Sequence, residues 1–233
     1  MKLKNPFRDL TKFELALWLC SVVVVFLSFC LSPDGSVVSL LASLVGVTAL
    51  IFVAKGYVFG QVLCIFFAIL YGIVSFWQQY YGEMITYLGM SAPAALAAVI
   101  AWIRNPSGNG STVKVRKALG AKECLLTCLV TAGVTVGFYF LLRALYTANL
   151  GFSTLSVATS FLASALTFLR SPYYALAYAA NDLVLIVLWV LATMRDISYL
   201  PMIFCFVMFL ANDLYGFYNW QKMKRLQESM ARM

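Results

Sequence analysis

The chain has 233 residues, 63% of them hydrophobic and only 11% charged, with a mean hydropathy of +0.88. Soluble domains carry roughly a quarter charged residues, so this composition points to a chain that lives in a lipid bilayer. Histidine is absent, which excludes His-based acid–base catalysis, Ser-His or Cys-His nucleophile pairs and His-ligated zinc or haem.

In chain order, long apolar runs bounded by turn residues and charges predict eight spans of about 20 residues each. They are Phe13–Leu31, Val37–Val53, Val58–Trp77 and Met84–Ile103, then Cys124–Leu142, Thr154–Leu169, Tyr173–Met194 and Leu200–Tyr218. The turn Ser32-Pro33-Asp34-Gly35-Ser36 separates the first two, Gln78 to Glu83 the next pair, and a polar loop from Arg104 to Glu123 divides the halves. The first run follows a basic tail, as a signal peptide would. It is longer than a typical signal core and no small-x-small site follows it, so it is expected to be a retained helix. Pro93 is expected to kink the fourth span or to serve packing. All six cysteines lie in apolar runs without a CxxC pair, and are expected to be small buried side chains rather than metal or redox ligands.

Alternating eight spans sorts the charges. One side collects four Lys/Arg before the first span, Lys55, five in the polar loop, Arg170 and four in the C-terminal tail, and the other side has only Arg143 and Arg195. The positive-inside rule then predicts cytoplasmic termini in a bacterial cytoplasmic membrane. The net charge of +8 reads as topology and not as a nucleic-acid patch.

The sequence also matches itself at an offset of 112 residues: Ala68 falls on Ala180, Trp77 on Trp189, and Ile85-Thr86-Tyr87-Leu88 on Ile197-Ser198-Tyr199-Leu200. This maps the third span onto the seventh and the fourth onto the eighth, which predicts a parallel repeat. The expected all-α layout is an N-terminal tail and accessory helix over 1–32, a three-helix bundle over 37–103, a basic loop over 104–123, a linker helix over 124–142, a second three-helix bundle over 154–220 and a basic tail over 221–233. In parallel-repeat transporters the substrate site lies between the halves near the midplane.

Polar groups in the spans mark that site. Intramembrane carboxylates are costly and face protein or water. Asp182 and Asp213 each follow an asparagine, Asn181 and Asn212, and each precedes a tryptophan by seven residues, Trp189 and Trp220. Seven residues is about two helical turns, so carboxylate and indole share a face. Tyr174 and Tyr178 extend the stripe on the seventh span, while Gln61, Cys64, Tyr71, Ser75 and Gln78 form one on the third. Such walls suit a flat heteroaromatic ring joined to a sugar, or a cation over ring faces. Trp189, Tyr178 and Tyr71 are the expected stacking groups, with Asn181, Asp182 and Gln61 binding polar atoms. Asn212 and Asp213 can equally be interhelical glue, and Trp77 and Trp220 interfacial belt residues. Two aspartates also raise an intramembrane protease, but the Gly-x-Gly-Asp context is missing, and a proton or sodium relay at Asp182 is the stronger alternative.

The segment from Gly60-Gln61 to Tyr71, with Tyr81-Gly82-Glu83-Met84, Pro93, Trp102, a basic loop, Arg170, Asn181 and the closing Gly216 to Trp220, resembles the PnuC family of vitamin and nucleoside-type transporters. The resemblance implies a SWEET-like fold and uptake of nicotinamide riboside by facilitated diffusion, with cytoplasmic phosphorylation trapping the product. It assigns Asn181 a central substrate hydrogen bond, with Gln61 and Tyr71 opposite. The family pattern has tryptophans and an acidic residue between the Arg and the Asn, where this chain has only Tyr173, Tyr174 and Tyr178; nucleosides, deoxynucleosides, thiamine and riboflavin are the alternative substrates. No cofactor is expected, and no G-x-x-x-x-G-K-S/T loop occurs to power a pump. The expected partners are a small-molecule substrate, membrane lipid and, for assembly, further copies of the chain.

Overall fold

A computed structural model describes residues 6–30, 37–77, 81–108 and 112–230. The expectations for Lys2, Lys4, Gln78, Arg232 and the turn from Ser32 to Ser36 fall outside these residues. Eight of the described helices are long and apolar enough to cross a membrane: α1 Lys12–Cys30, α2 Val37–Ala54, α3 Val58–Trp77, α4 Tyr81–Ile103, α5 Ala121–Ala144, α6 Leu150–Phe168, α7 Tyr174–Thr193 and α8 Leu200–Met230. Each matches one predicted span, and none of the described residues lies in a strand ladder; the nearest approach is an isolated bridge between Pro106 and Val113.

Helix starts follow local chemistry. At α1, Thr11 and Glu14 form a capping box: the Glu14 carboxylate accepts the Thr11 N–H at 2.6 Å, and the Thr11 hydroxyl accepts the Glu14 N–H at 3.3 Å. Inside α4, residues Tyr87–Ser91 wind as a π turn, with the Ala92 N–H reaching back to the Tyr87 carbonyl. Pro93 follows one residue later and has no N–H to give the preceding turn. The expected irregularity in this span is therefore a π turn just ahead of the proline.

Packing divides the helices into two sets. α2 packs on α3 and α3 on α4; α6 packs on α7 and α7 on α8; the sets meet where α2 lies against α8 and α4 against α6. Gly60 makes the α2–α3 approach possible, because a Cβ there would sit 2.5 Å from the Val53 nitrogen. α5 touches the rest mainly through α6 and buries only Leu142. α1 lies against α2 and α8. It is fixed by Glu14, only 2% exposed, whose carboxylate accepts from Lys55 Nζ at 2.7 Å and from the Tyr215 hydroxyl at 2.7 Å. Trp18 donates to Thr48 on α2, and Asn212 on α8 donates to Ser21.

Three expectations are corrected. α8 runs on to Met230, well past Tyr218, because its last turns are held by the loop after α4: Gln227 accepts the Val115 N–H and donates to the Val113 carbonyl. That loop is not simply polar. Val113 and Val115 turn inward, Val113 fully buried, and the Val113 N–H bonds the carbonyl of Gly56, which turns the chain between α2 and α3 at φ +72°. Of the cysteines only Cys205 is buried; Cys64 lines a cavity, and Cys20, Cys30, Cys124 and Cys128 are exposed on outward helix faces. Lipid tails are as apolar as a protein interior, so an apolar run does not distinguish these two surroundings.

Candidate functional site

A cavity of about 160 Å³ lies between the two helix sets, walled by α2, α3 and α4 on one side and α6, α7 and α8 on the other. The end of the molecule that carries the basic loop and the C-terminal end of α8 is sealed. There Val53, Val58 and Trp102 of the first set meet Tyr174, Ala175 and Trp220 of the second, with Val113 and Val115 packed beneath them. The cavity runs away from this seal toward the opposite end, where its walls include Gly82 and Glu83 at the start of α4, Thr147 beyond α5 and Ser153 at the start of α6.

Six of the ten predicted site residues line this space: Gln61, Tyr174, Tyr178, Asn181, Asp182 and Asp213. The four from α7 are brought there by helical spacing, with Tyr174, Tyr178 and the Asn181–Asp182 pair on one face. Asn181 Oδ1 accepts from Ser156 at 3.0 Å and Thr159 at 2.9 Å on α6, which orients the amide and leaves Nδ2 as its free donor side. The Tyr178 and Ser164 hydroxyls are 3.0 Å apart. Asp182 and Asp213 both face the cavity, and their carboxyl groups are close enough to influence one another electrostatically. Asp182 is 3% exposed, and its Oδ2 has no hydrogen-bond partner.

The other four stand elsewhere. Tyr71 is buried behind the wall, its ring 4.4 Å from Tyr87 and 5.6 Å from Phe67, and those two rings face the cavity instead. Trp189 packs into an apolar cluster, stacked on Phe206 at 6.5 Å and tilted against Tyr199 at 5.6 Å. Asn212, one residue from Asp213, points around α8 to Ser21 and thus ties α1 to the bundle. Trp77 is 62% exposed at the end of α3, where an interfacial belt residue belongs. Trp220, read as a belt or cavity residue, is fully buried in the seal.

Sequence reasoning passed over two parts of the wall. Glu83 falls in the turn before the fourth span and in the Tyr81-Gly82-Glu83-Met84 motif, with no site role expected, yet it lies in the first turn of α4 and lines the cavity. α6 presents Ser153, Ser156, Ser160, Ser164 and Thr167, a polar stripe at steps of three and four residues that the sequence displays plainly.

The sequence profile of the nicotinamide mononucleotide transporter family matches residues 36–222. The chain is 28% identical to the nicotinamide riboside transporter PnuC of Neisseria mucosa over 229 residues, covering 94% of this chain and 85% of that one. It is 25% identical to the nicotinamide riboside transporter PnuC of Haemophilus influenzae over 223 residues, covering 95% and 96%. Among solved structures, the crystal structure of the vitamin B3 transporter PnuC superposes with a TM-score of 0.80 at 25% identity, covering 94% of both chains.

Proposed function

The chain belongs to the nicotinamide mononucleotide transporter family, and on that premise we propose that it takes up nicotinamide riboside across the bacterial cytoplasmic membrane by facilitated diffusion. The observation that carries this reading is the cavity itself: a space of about 160 Å³ between two helix sets, lined by tyrosines, amides, hydroxyls and carboxyls, in a chain similar over nearly its whole length to nicotinamide riboside transporters. Tyr174, Tyr178 and Tyr87 offer ring faces for the pyridine. Asn181 Nδ2 and Gln61 offer donors and acceptors for carboxamide and ribose.

The clustering of Lys and Arg at the sealed end supports a cytoplasmic placement of that end and of both termini. The cavity then faces outward, ready to accept substrate from outside. Release inward requires the seal of Trp102, Trp220 and Tyr174 to part and the opposite end to close. A uniporter of this kind equilibrates its substrate, and phosphorylation by a separate cytoplasmic enzyme traps what arrives; the chain itself acts as carrier and not as catalyst.

Thermal unfolding in detergent tests the assignment, because a bound ligand stabilises the folded state by about 2.7 kcal/mol at a hundredfold excess over Kd. A shift with nicotinamide riboside and none with uridine, deoxynucleosides, thiamine or riboflavin is expected. A shift with nucleosides alone would transfer the assignment to them.

A further inference from the structure

The described walls of the cavity carry three carboxyl groups, Glu83, Asp182 and Asp213, and no lysine or arginine. The chain has no histidine to supply a cation in their place. Asp182 and Asp213 both line the cavity, are each at least 96% buried and interact with one another, and the buried Asp182 Oδ2 atom is without a partner. Buried polar atoms are ordinarily satisfied, and an orphaned carboxyl oxygen at a cavity wall is a place prepared for a donor or a positive charge that arrives from outside.

Around the pair stand groups that carry no formal positive charge. Cys64, Tyr87, Tyr174 and Tyr178 line the same cavity as the two aspartates. The tyrosine faces add quadrupole attraction for a flat cation, and both effects gain strength in a space screened from bulk water.

We propose that the Asp182–Asp213 pair, assisted by Glu83, selects substrate by the positive charge on its heteroaromatic ring, so that the site takes ring cations and turns away the uncharged ring. This rests on the nicotinamide riboside reading. The pyridinium ring of nicotinamide riboside is a cation, and its 1,4-dihydro form has the same ribose and carboxamide on a neutral ring.

The test is binding of these two ligands to the full-length protein in detergent or nanodiscs, for wild type, Asp182→Asn, Asp213→Asn and Asp182→Glu. Wild type is expected to bind nicotinamide riboside about tenfold or more tighter than its dihydro form. Both asparagine variants should bind the two ribosides with nearly equal affinity, their retained dihydro binding showing that the site is intact, and Asp182→Glu should keep much of the preference. Equal wild-type binding of the two ribosides would overturn the charge selection while leaving the transport reading in place. An undiminished preference in both asparagine variants would overturn it too, as would loss of both ligands by monodisperse variant protein, which makes the pair structural. Should no riboside bind wild type, the transport reading fails and takes this proposal with it. The wild-type comparison decides even where a variant does not fold.

Discussion

Trp102 and Trp220 stand 5.4 Å apart in the seal at the basic end, and each donates its indole N–H to a backbone carbonyl of the opposite helix set. Trp102 on α4 bonds the Thr167 carbonyl in the last turns of α6 at 3.0 Å, and Trp220 on α8 bonds the Val53 carbonyl in the last turn of α2 at 2.9 Å. The third helix of each set thus grips the first helix of the other. Asn219 reinforces one side by donating to the Ala54 carbonyl at 2.9 Å. The reciprocity is what the parallel repeat expected from the sequence would produce if its two copies faced each other.

Loosening the seal should shift the molecule toward the state open at its basic end. Trp220→Phe removes one inter-set hydrogen bond, with an expected cost of about 1 kcal/mol to the closed contact and roughly a fivefold change in the population of the two states. Cysteines placed beside Trp102 should become more reactive to a membrane-impermeant thiol reagent from that side. Unchanged labelling would argue that the indole bonds do not hold the seal.

Asn181 is the most constrained amide in the cavity, held by Ser156 and Thr159. Replacing it with alanine removes the donor offered to substrate and should abolish uptake while leaving a monodisperse, folded protein. Thr159→Val should give an intermediate loss, because the amide keeps one of its two partners. Near-normal uptake by Asn181→Ala would remove that residue from the site.

The carboxylate of Glu14 is buried against Lys55 and the Tyr215 hydroxyl at the foot of α1. Lys55→Met leaves the carboxylate without its counter-charge, and breaking such a pair one-sidedly costs about 3 kcal/mol. A clear drop in thermal unfolding temperature is expected. The double variant Lys55→Met with Glu14→Gln should recover part of that loss, since neither charge is then stranded.

Gly60 cannot take a side chain without pushing α2 from α3. Gly60→Ala should destabilise by about 1–3 kcal/mol, the usual range for overpacking a tight contact. Gly133, with open space around its Cβ position, should accept alanine with little effect and serves as the control.

How far the sequence discloses this molecule follows from what each signal measures. Span number and the segregation of Lys and Arg depend on transfer from water to lipid, which is local, and α3 begins and ends where its apolar run does. The stripe from Tyr174 to Asp182 reaches the cavity because polar atoms in a membrane helix seek protein or water. Trp189 on α7 and Asn212 on α8 are placed instead by their neighbours: Phe206 and Tyr199 cover the indole, and Ser21 of α1 draws the amide. Val113 and Val115 appear as isolated apolar residues in a basic loop, and only the gap beneath Trp102 and Trp220 gives them a burial site. The serine stripe of α6 was legible, but hydroxyls bonded to their own helix backbone are common in membrane helices and do not by themselves announce a wall.

The central claim is transport of nicotinamide riboside down its gradient, and the most direct measurement is uptake of radiolabelled nicotinamide riboside into proteoliposomes that contain only the purified protein. Facilitated diffusion predicts entry well above protein-free vesicles, a plateau at equal internal and external concentrations, and no dependence on an imposed proton or sodium gradient. Uptake no faster than in protein-free vesicles would contradict the substrate. Accumulation above the external concentration, driven by either ion gradient, would contradict the uniport and turn attention to the carboxyl pair at Asp182 and Asp213.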